Sequence, residues 1–402
     1  MNFKKKFLYI LTVLLLLTFS VNSAFAVNEA DVADENRLLC ISYRGDTAHY
    51  PENSLEGVIS AFRKGADMVS VSVVITKDGV LALAEEESLG NICNAPYESI
   101  ASATYEELSS YKLYNNRGEL TEYKMSNLKE LIEKTQDEDL IIVDADWQYK
   151  DEIYKISEGC NALPRVYLRT KVSAKNIAQW VASKDVKTNV IGVYDGNIIF
   201  NAISHINTLS EAGTDLVQYQ SKNHFNVMYG SLVTDNFAVD GKCAAIAPMY
   251  SPDLCGQRSD SENGWNELIK KGFTAIETNN IEAFRNYTEK NIAMCSELSA
   301  LTEKAEKMNT ERFSLTSKEN LSDAVKEAKR VLEGRIKSLD EAENAYSRLL
   351  MSMNGMKISD GEETTRGALN ITAGKVIAAV IVGAALLGGQ IFVNKQHRKK
   401  AN

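Results

Sequence analysis

The sequence predicts an α/β protein whose main body is a (β/α)8 (TIM) barrel, followed by a small all-α three-helix bundle and a single C-terminal transmembrane helix. Three observations carry that prediction. Strand-like and helical patterns alternate from Arg37 to Phe284, the signature of a parallel sheet wrapped by helices. Eight or so such units in about 250 residues match the size of a (β/α)8 barrel. After Phe284 the strand pattern stops and only helical periodicity remains.

The strand-like runs are, in order, "RLLCISY", "MVSVSVVIT", "GVLALA", "DLIIVDA", "PRVYLRT", "NVIGVYD", "DLVQYQ", "CAAIAPMY" and "FTAIET". Each is short, and helical patterns lie between many of them. The clearest helix lies between Pro51 and Gly65. Asn53 or Ser54 caps it, and Leu55, Val58, Ile59 and Phe62 make its apolar stripe. "SNLKELIEKT" repeats the pattern with Leu128, Leu131 and Ile132. A short β-rich insertion, "YKLYNNRGELTEYKM", interrupts the alternation.

Three amphipathic helices are expected across residues 286–356. The first, Thr288 to Lys307, offers Met294, Leu298, Leu301 and Ala305. "TSKENLSDAVKEAKRVL" opens with Thr316 and Glu319 at capping-box spacing and carries the stripe Leu321, Ala324, Val325, Ala328, Val331 and Leu332. "SLDEAENAYSRLLMSM" opens likewise with Ser338 and Glu341. This part resembles the FIVAR-type three-helix modules of bacterial surface proteins. A linker over residues 357–374 follows.

The ends set the expected location. Lys4, Lys5 and Lys6 precede an apolar run, and Ala24-Phe25-Ala26 supplies a small-x-small cleavage pattern. Residues 1–26 therefore read as a secretory signal peptide, with an uncleaved anchor as the alternative. The segment from Val376 to Val393 has one polar side chain, Gln390, within an expected span at 375–394. That length crosses a bilayer core at the short end of the range. The tail at 395–402 holds Lys395, Arg398, Lys399 and Lys400, which places it in the cytoplasm. The expected protein is exported, single-pass and tethered outside a bacterial cell.

A net charge of −9 with no large basic run excludes a nucleic-acid role. The six cysteines (Cys40, Cys93, Cys160, Cys243, Cys255, Cys295) show no C-x-x-C spacing, so a zinc site is not expected. Export permits disulfides, with Cys243 and Cys255 the closest pair, and buried thiols are the alternative. Cys40 reads as core.

The residues that carry chemistry cluster between Leu38 and Leu89. "YRG" stands at 43–45, "PEN" at 51–53 and "TKDG" at 76–79. In this frame the chain resembles the glycerophosphodiester phosphodiesterases, a family of PLC-like phosphodiesterase TIM barrels, over residues 37–284. The resemblance implies His-Arg-Gly at the first strand end, Glu-x-Asp on the second strand and His-Asp after the third. Here Tyr43 replaces the first His, Ser70 and Ser72 replace both carboxylates, and Glu85 and Glu86 stand for the His-Asp pair. The next metal-ligand Glu aligns with Asp144, and the Lys two places on with Asp146. Arg44, which the resemblance makes a phosphate contact, is retained.

The substitutions bear directly on rate. Imidazole titrates near working pH, whereas a tyrosine near pKa 10 is a poor base and a Glu near 4.3 a poor acid. Each general acid or base contributes on the order of 10²–10⁴ in rate. Two serines offer only neutral oxygens where a divalent metal would need carboxylates. The expectation is a tethered pseudoenzyme with no intact catalytic residue and no cofactor. Its pocket is expected to comprise Tyr43, Glu52, Asn53, Ser70, Ser72, Glu85, Asp144 and Asp146, with Arg44 facing a phosphate- or sugar-bearing surface ligand or a protein partner. Arg169, Lys171, Lys222 and Arg258 extend an anion-friendly mouth, the alternative being solvated loop cations. Tyr43, Trp147, Tyr219 and Tyr250 line the pocket or pack in the core.

Two other readings stay open. One is an active phosphoric diester hydrolase of lipid or glycerophosphodiester metabolism with relocated residues. It would use His49 and a Ca²⁺ or Mg²⁺ site drawn from Glu85, Glu86, Asp144 and Asp146, of which Glu85 and Asp144 are the metal candidates. His49, His205 and His224 otherwise read as surface residues. The other reading is an adhesion or scaffold protein that works through its helical module.

Overall fold

The computed structural model describes residues 38–85, 88–186, 188–194, 216–219, 244–248, 260–270, 273, 275–333 and 337–358. The chain divides between Arg285 and Asn286 into two compact units. The expected leader, the 375–394 span, the basic tail, Glu86, His205, His224, Lys222, Tyr250, Arg258, Cys243 and Cys255 lie outside the described residues. Among the described residues no helix is long and apolar enough to cross a membrane.

In the first unit all nine expected strands form. β1 (Leu39–Tyr43), β2 (Met68–Ile75), β6 (Leu140–Asp144), β7 (Val166–Thr170), β8 (Asn189–Tyr194), β9 (Leu216–Tyr219), β10 (Ala244–Pro248) and β11 (Ala275–Thr278) pair in parallel as a ring that closes from β11 back to β1. β3 (Leu81–Leu83) folds back antiparallel on the far half of β2. Closure leaves no free edge among the ring strands. The intervening helices described are α1 (Leu55–Arg63), α2 (Tyr105–Leu108), α3 (Leu128–Lys134), α4 (Lys150–Gly159), α5 (Ala174–Ala182) and α6 (Glu262–Lys270).

The two-residue strand period sorts side chains between the axis and the helices. Leu39, Ile41, Met68, Leu140, Ile142, Tyr167, Ile191 and Ala275 form one buried cluster that fills the barrel interior. Two residues further along four of these strands stand Tyr43, Ser70, Asp144 and Glu277. Arg169 follows Tyr167 in the same way. The apolar layer is thus a floor beneath a polar layer at the strand C-termini, where barrels of this architecture place their sites.

The insertion between β3 and α3 has a small core of its own, with Leu89, Cys93, Ile100, Leu108, Leu113 and Met125 among its buried members. The expected β-rich piece is the hairpin β4 (Lys112–Tyr114) and β5 (Leu120–Lys124), turning through Gly118 at φ 75°. Ser54 caps α1, accepting from the Gly57 N–H. Asn53 is freed for another task described below.

The second unit contains α7 (Ile281–Glu306, which begins in the first unit), α8 (Leu315–Leu332) and α9 (Leu339–Asn354). The first helix starts seven residues before the Thr288 expected, because "IEAFRNY" joins it without a break. The α8 cap is Ser314, whose side chain accepts from Ser317 N–H, and not Thr316, which lies within the helix. Ser338 and Glu341 form the capping box expected for α9. Leu298, Leu321, Ala324, Ala328, Leu339, Ala342, Ala345 and Leu349 are buried. The buried Tyr287 hydroxyl accepts from Leu339 N–H at 3.1 Å.

Candidate functional site

The turn after β1 is stitched at both ends. Arg44 N–H donates to Ser70 O at 3.0 Å, and Asn53 N–H donates to Arg44 O at 3.0 Å. Asn53 also accepts from Ser72 N–H through Oδ1 at 2.8 Å, so "YRG", "PEN" and the "SVS" of β2 form one unit. Arg44 and Asn53 both sit at positive φ, 59° and 56°. Non-glycine residues adopt that conformation when surrounding bonds hold them there, and such positions concentrate at functional sites. Gly45, at φ 91°, brings the turn against α1. A Cβ there would lie 2.8 Å from the carbonyl carbon of Gly57.

Asp46, 3% exposed, organises the back of the turn. It accepts from Ser60 at 2.7 Å and pairs with Lys64 at 2.9 Å and His49 Nδ1 at 3.0 Å. Burial alone would raise its carboxyl. The His49, Lys64 and Ser60 hydrogen bonds outweigh that and hold it below the usual carboxylate range. His49, with a side chain 61% exposed, serves this turn.

Arg44 is buried, its guanidinium lying 4.3 Å from the Tyr43 ring centroid. Nη1 pairs with Glu52 at 2.5 Å, Nη2 pairs with Glu85, and Nε is buried without a partner. Glu85 lies beyond β3, which ends at Leu83, so strand alternation does not set its direction. It reaches back over Arg44. Burial pushes the Tyr43 phenol above its ordinary value against the pull of Arg44. That moves it further from use as a base at neutral pH.

Arg169 is not an open mouth cation. Its side chain, 2% exposed, forks onto both oxygens of Asp144, with Nε 2.5 Å from Oδ1. Nη1 lies 2.8 and 2.9 Å from the two oxygens of Glu277. β7 and β11 stand four places apart in the eight-strand ring, so this contact spans the barrel axis. Glu277 is fully buried. Burial pushes its carboxyl up, opposed by the charge of Arg169. Sequence reasoning missed Glu277. The signal was its two-residue spacing from Ala275, which puts a lone acid on the barrel-facing side of a buried strand.

Two hollows open at this end, and Glu85 lines both. One, about 700 Å³, lies between the Pro51–Asn53 turn and the insertion, with Glu52, Asn91, Tyr114 and Asn116 on its walls. The other, about 550 Å³, is bounded by Ser72, Asp144, Asp146, Trp147, Arg169 and Lys171. Asp146 also caps a short 3₁₀ turn through Gln148 N–H. Of the expected pocket residues, Glu52, Asn53, Ser72, Glu85, Asp144 and Asp146 line these two hollows, whereas Tyr43 and the fully buried Ser70 line neither. The residues do not fit a divalent cation. Ser70 and Ser72 are neutral, and every oxygen of Asp144 and Glu277 already accepts from Arg169.

Residues 44–219 match the glycerophosphoryl diester phosphodiesterase family. A stretch of 95 residues is 33% identical to a glycerophosphodiester phosphodiesterase of Bacillus altitudinis, covering 23% of this chain and 38% of that protein. Another of 79 residues is 29% identical to a glycerophosphodiester phosphodiesterase of Bacillus subtilis, covering 20% and 27%. The matched stretches thus span well under half of those relatives. A crystal structure of a glycerophosphoryl diester phosphodiesterase from Parabacteroides distasonis superposes with a TM-score of 0.52 at 16% identity, covering 62% of this chain and 86% of that one, a likeness of fold. The chain carries a glycerophosphoryl diester phosphodiesterase family domain at residues 44–219.

Proposed function

We propose that this protein is a pseudoenzyme: a barrel of the diesterase type that holds a ligand at its mouth without hydrolysing it. One observation carries the reading. The polar layer at the strand ends presents Tyr43, Ser70, Ser72 and an Asp144 locked to Arg169 where the family resemblance implies an imidazole and metal-binding carboxylates. Without a base that titrates near neutrality, a nucleophile is not activated, and a hydroxyl layer gives a leaving alkoxide no proton donor of suitable acidity. His49 offers no replacement, since its ring is engaged with Asp46 and turned to solvent.

The ligand side of the reading rests on the larger hollow. Asn91, Tyr114 and Asn116 supply amide and hydroxyl groups there, and no lysine or arginine is among its described lining residues. Such walls suit a hydroxyl-rich, sugar-like group. Arg44 lies beside Glu52 and Glu85 and would meet an attached phosphate once Glu85 moves aside. In this reading the signal peptide and the apolar span at 375–394 export the chain and tether it outside the membrane. The FIVAR-like helices then hold the barrel away from the surface or dock a protein.

The test is an assay of the purified chain on glycerophosphodiesters with Ca²⁺ and Mg²⁺. No turnover is expected. Turnover above about 1 s⁻¹, in the range of ordinary enzymes, that disappears in Tyr43→Phe or Glu85→Gln overturns the proposal and restores the diesterase reading.

A further inference from the structure

The contact of Arg169 with Asp144 and Glu277 is more than a structural ion pair at a convenient place. Asp144 opposes Ser72 in the β2–β6 register and Arg169 in the β6–β7 register, while Glu277 arrives from the opposite wall of the barrel and accepts from Arg169 Nη1. Ser70 and Ser72 on β2, Asp144 on β6 and Glu277 on β11 thus occupy four positions of one strand-end layer, and the two carboxylates close on a single guanidinium. Three of the four, Ser70, Ser72 and Asp144, stand at the positions where the family resemblance implies metal ligands.

From this geometry we infer that Arg169 is the resident cation of the barrel mouth, a built-in replacement for a divalent metal. A guanidinium is permanently charged and presents its N–H groups in a planar fork. A two-nitrogen fork onto Asp144, with Nη1 shared between both oxygens of Glu277, lets it satisfy two carboxylates at once. It adds positive charge without Lewis acidity, so it keeps the acidic layer folded and supplies nothing toward bond cleavage. A divalent ion would have to displace it from all four oxygens and approach a fixed positive charge, while needing six to eight oxygen ligands if it were Ca²⁺. The mouth is therefore metal-independent, and the latent metal site is masked by one side chain. This inference gives the non-catalytic reading a physical cause but is separable from it. A native chain that cleaves diesters in the presence of chelator would end that reading and leave this one intact.

The experiment is titration of the native full chain with Ca²⁺, Mg²⁺ and Mn²⁺ by calorimetry, with thermal unfolding in parallel, beside the variants Arg169→Gln and Arg169→Ala. The native chain should show no saturable site up to about 10 mM and the same Tm with chelator as with metal, since weak extracellular Ca²⁺ sites bind at about 10⁻⁴–10⁻³ M. Arg169→Gln keeps most of the volume and frees the carboxylates. It should gain a single site in that range and a Tm rise of about 3–6 °C at ten times its Kd. Adding Asp144→Asn should remove the gain. Saturable binding to the native chain that Asp144→Asn weakens would overturn the inference, as would a folded Arg169→Gln with no response to any of the three ions. Where both Arg169 variants fail to fold, the native titration decides by itself.

Discussion

Nη2 of Arg44 donates to Oε1 of Glu85, a carboxylate whose side chain is 53% exposed, while the arginine itself is 8% exposed. The buried partner is fixed by its turn and the exposed one is held mainly by the pair. Glu85 is thus positioned as an internal anion on the one cation that the resemblance makes a phosphate contact.

Glu85→Gln should therefore raise the affinity of the chain for glycerol phosphate several-fold, the equivalent of about 1 kcal/mol for a half-exposed pair. Calorimetric titration at low ionic strength checks this. Unfolding free energy should change by less than about 1 kcal/mol, because Glu52 still pairs with Arg44.

Asp46→Asn should destabilise the chain by about 1–3 kcal/mol at pH 7, through hydrogen bonds lost at a buried carboxylate. The sign with pH follows from the lowered carboxyl of Asp46. Its stabilisation is fully present above the unfolded value of about 3.9 and is lost as pH falls through the folded one. Urea unfolding of both proteins should give curves that differ most near neutrality and converge below about pH 4.

Gly45→Ala places a Cβ 2.8 Å from Gly57 at a backbone φ of 91°. The conformational penalty is about 1–2 kcal/mol and the overpacking about 1–3 kcal/mol. A thermal unfolding midpoint well below the native one is expected, together with loss of any Arg44-dependent anion binding.

Arg165→Met tests the opposite end of the barrel. Arg165, 5% exposed, donates to Ile132 O at 2.6 Å, Thr135 Oγ1 at 2.9 Å and Asp139 O at 3.3 Å, closing the end of α3. Leaving these acceptors unpaired should cost about 1–3 kcal/mol of unfolding free energy. Ligand affinity at the mouth should be unchanged, as measured with the same titration.

The elements of the barrel were legible because the strands are short apolar runs and the starts of α1, α2, α3 and α5 carry a capping side chain. Ser338 with Glu341 is an example where local chemistry alone decides the cap. At α8, Thr316 and Glu319 had the right spacing, but Ser314 lies two residues earlier and caps first. The site was legible where the turn is local: Tyr43, Arg44 and "PEN" are close in sequence. Arg169 and Glu277 are 108 residues apart, and their meeting depends on ring closure, which no local pattern encodes. Arg169 therefore read as part of an anion-friendly mouth or as a solvated loop cation, and its burial follows only from the β6–β7 register and the closure of the ring.

The insertion between β3 and α3 gathers its own buried residues, Leu89, Cys93, Ile100, Leu108 and Leu113, apart from the barrel floor. Asn91, Tyr114 and Asn116 on its rim face the larger hollow without belonging to either core. Substitutions on this rim would therefore change the wall of the larger hollow while leaving both buried clusters intact.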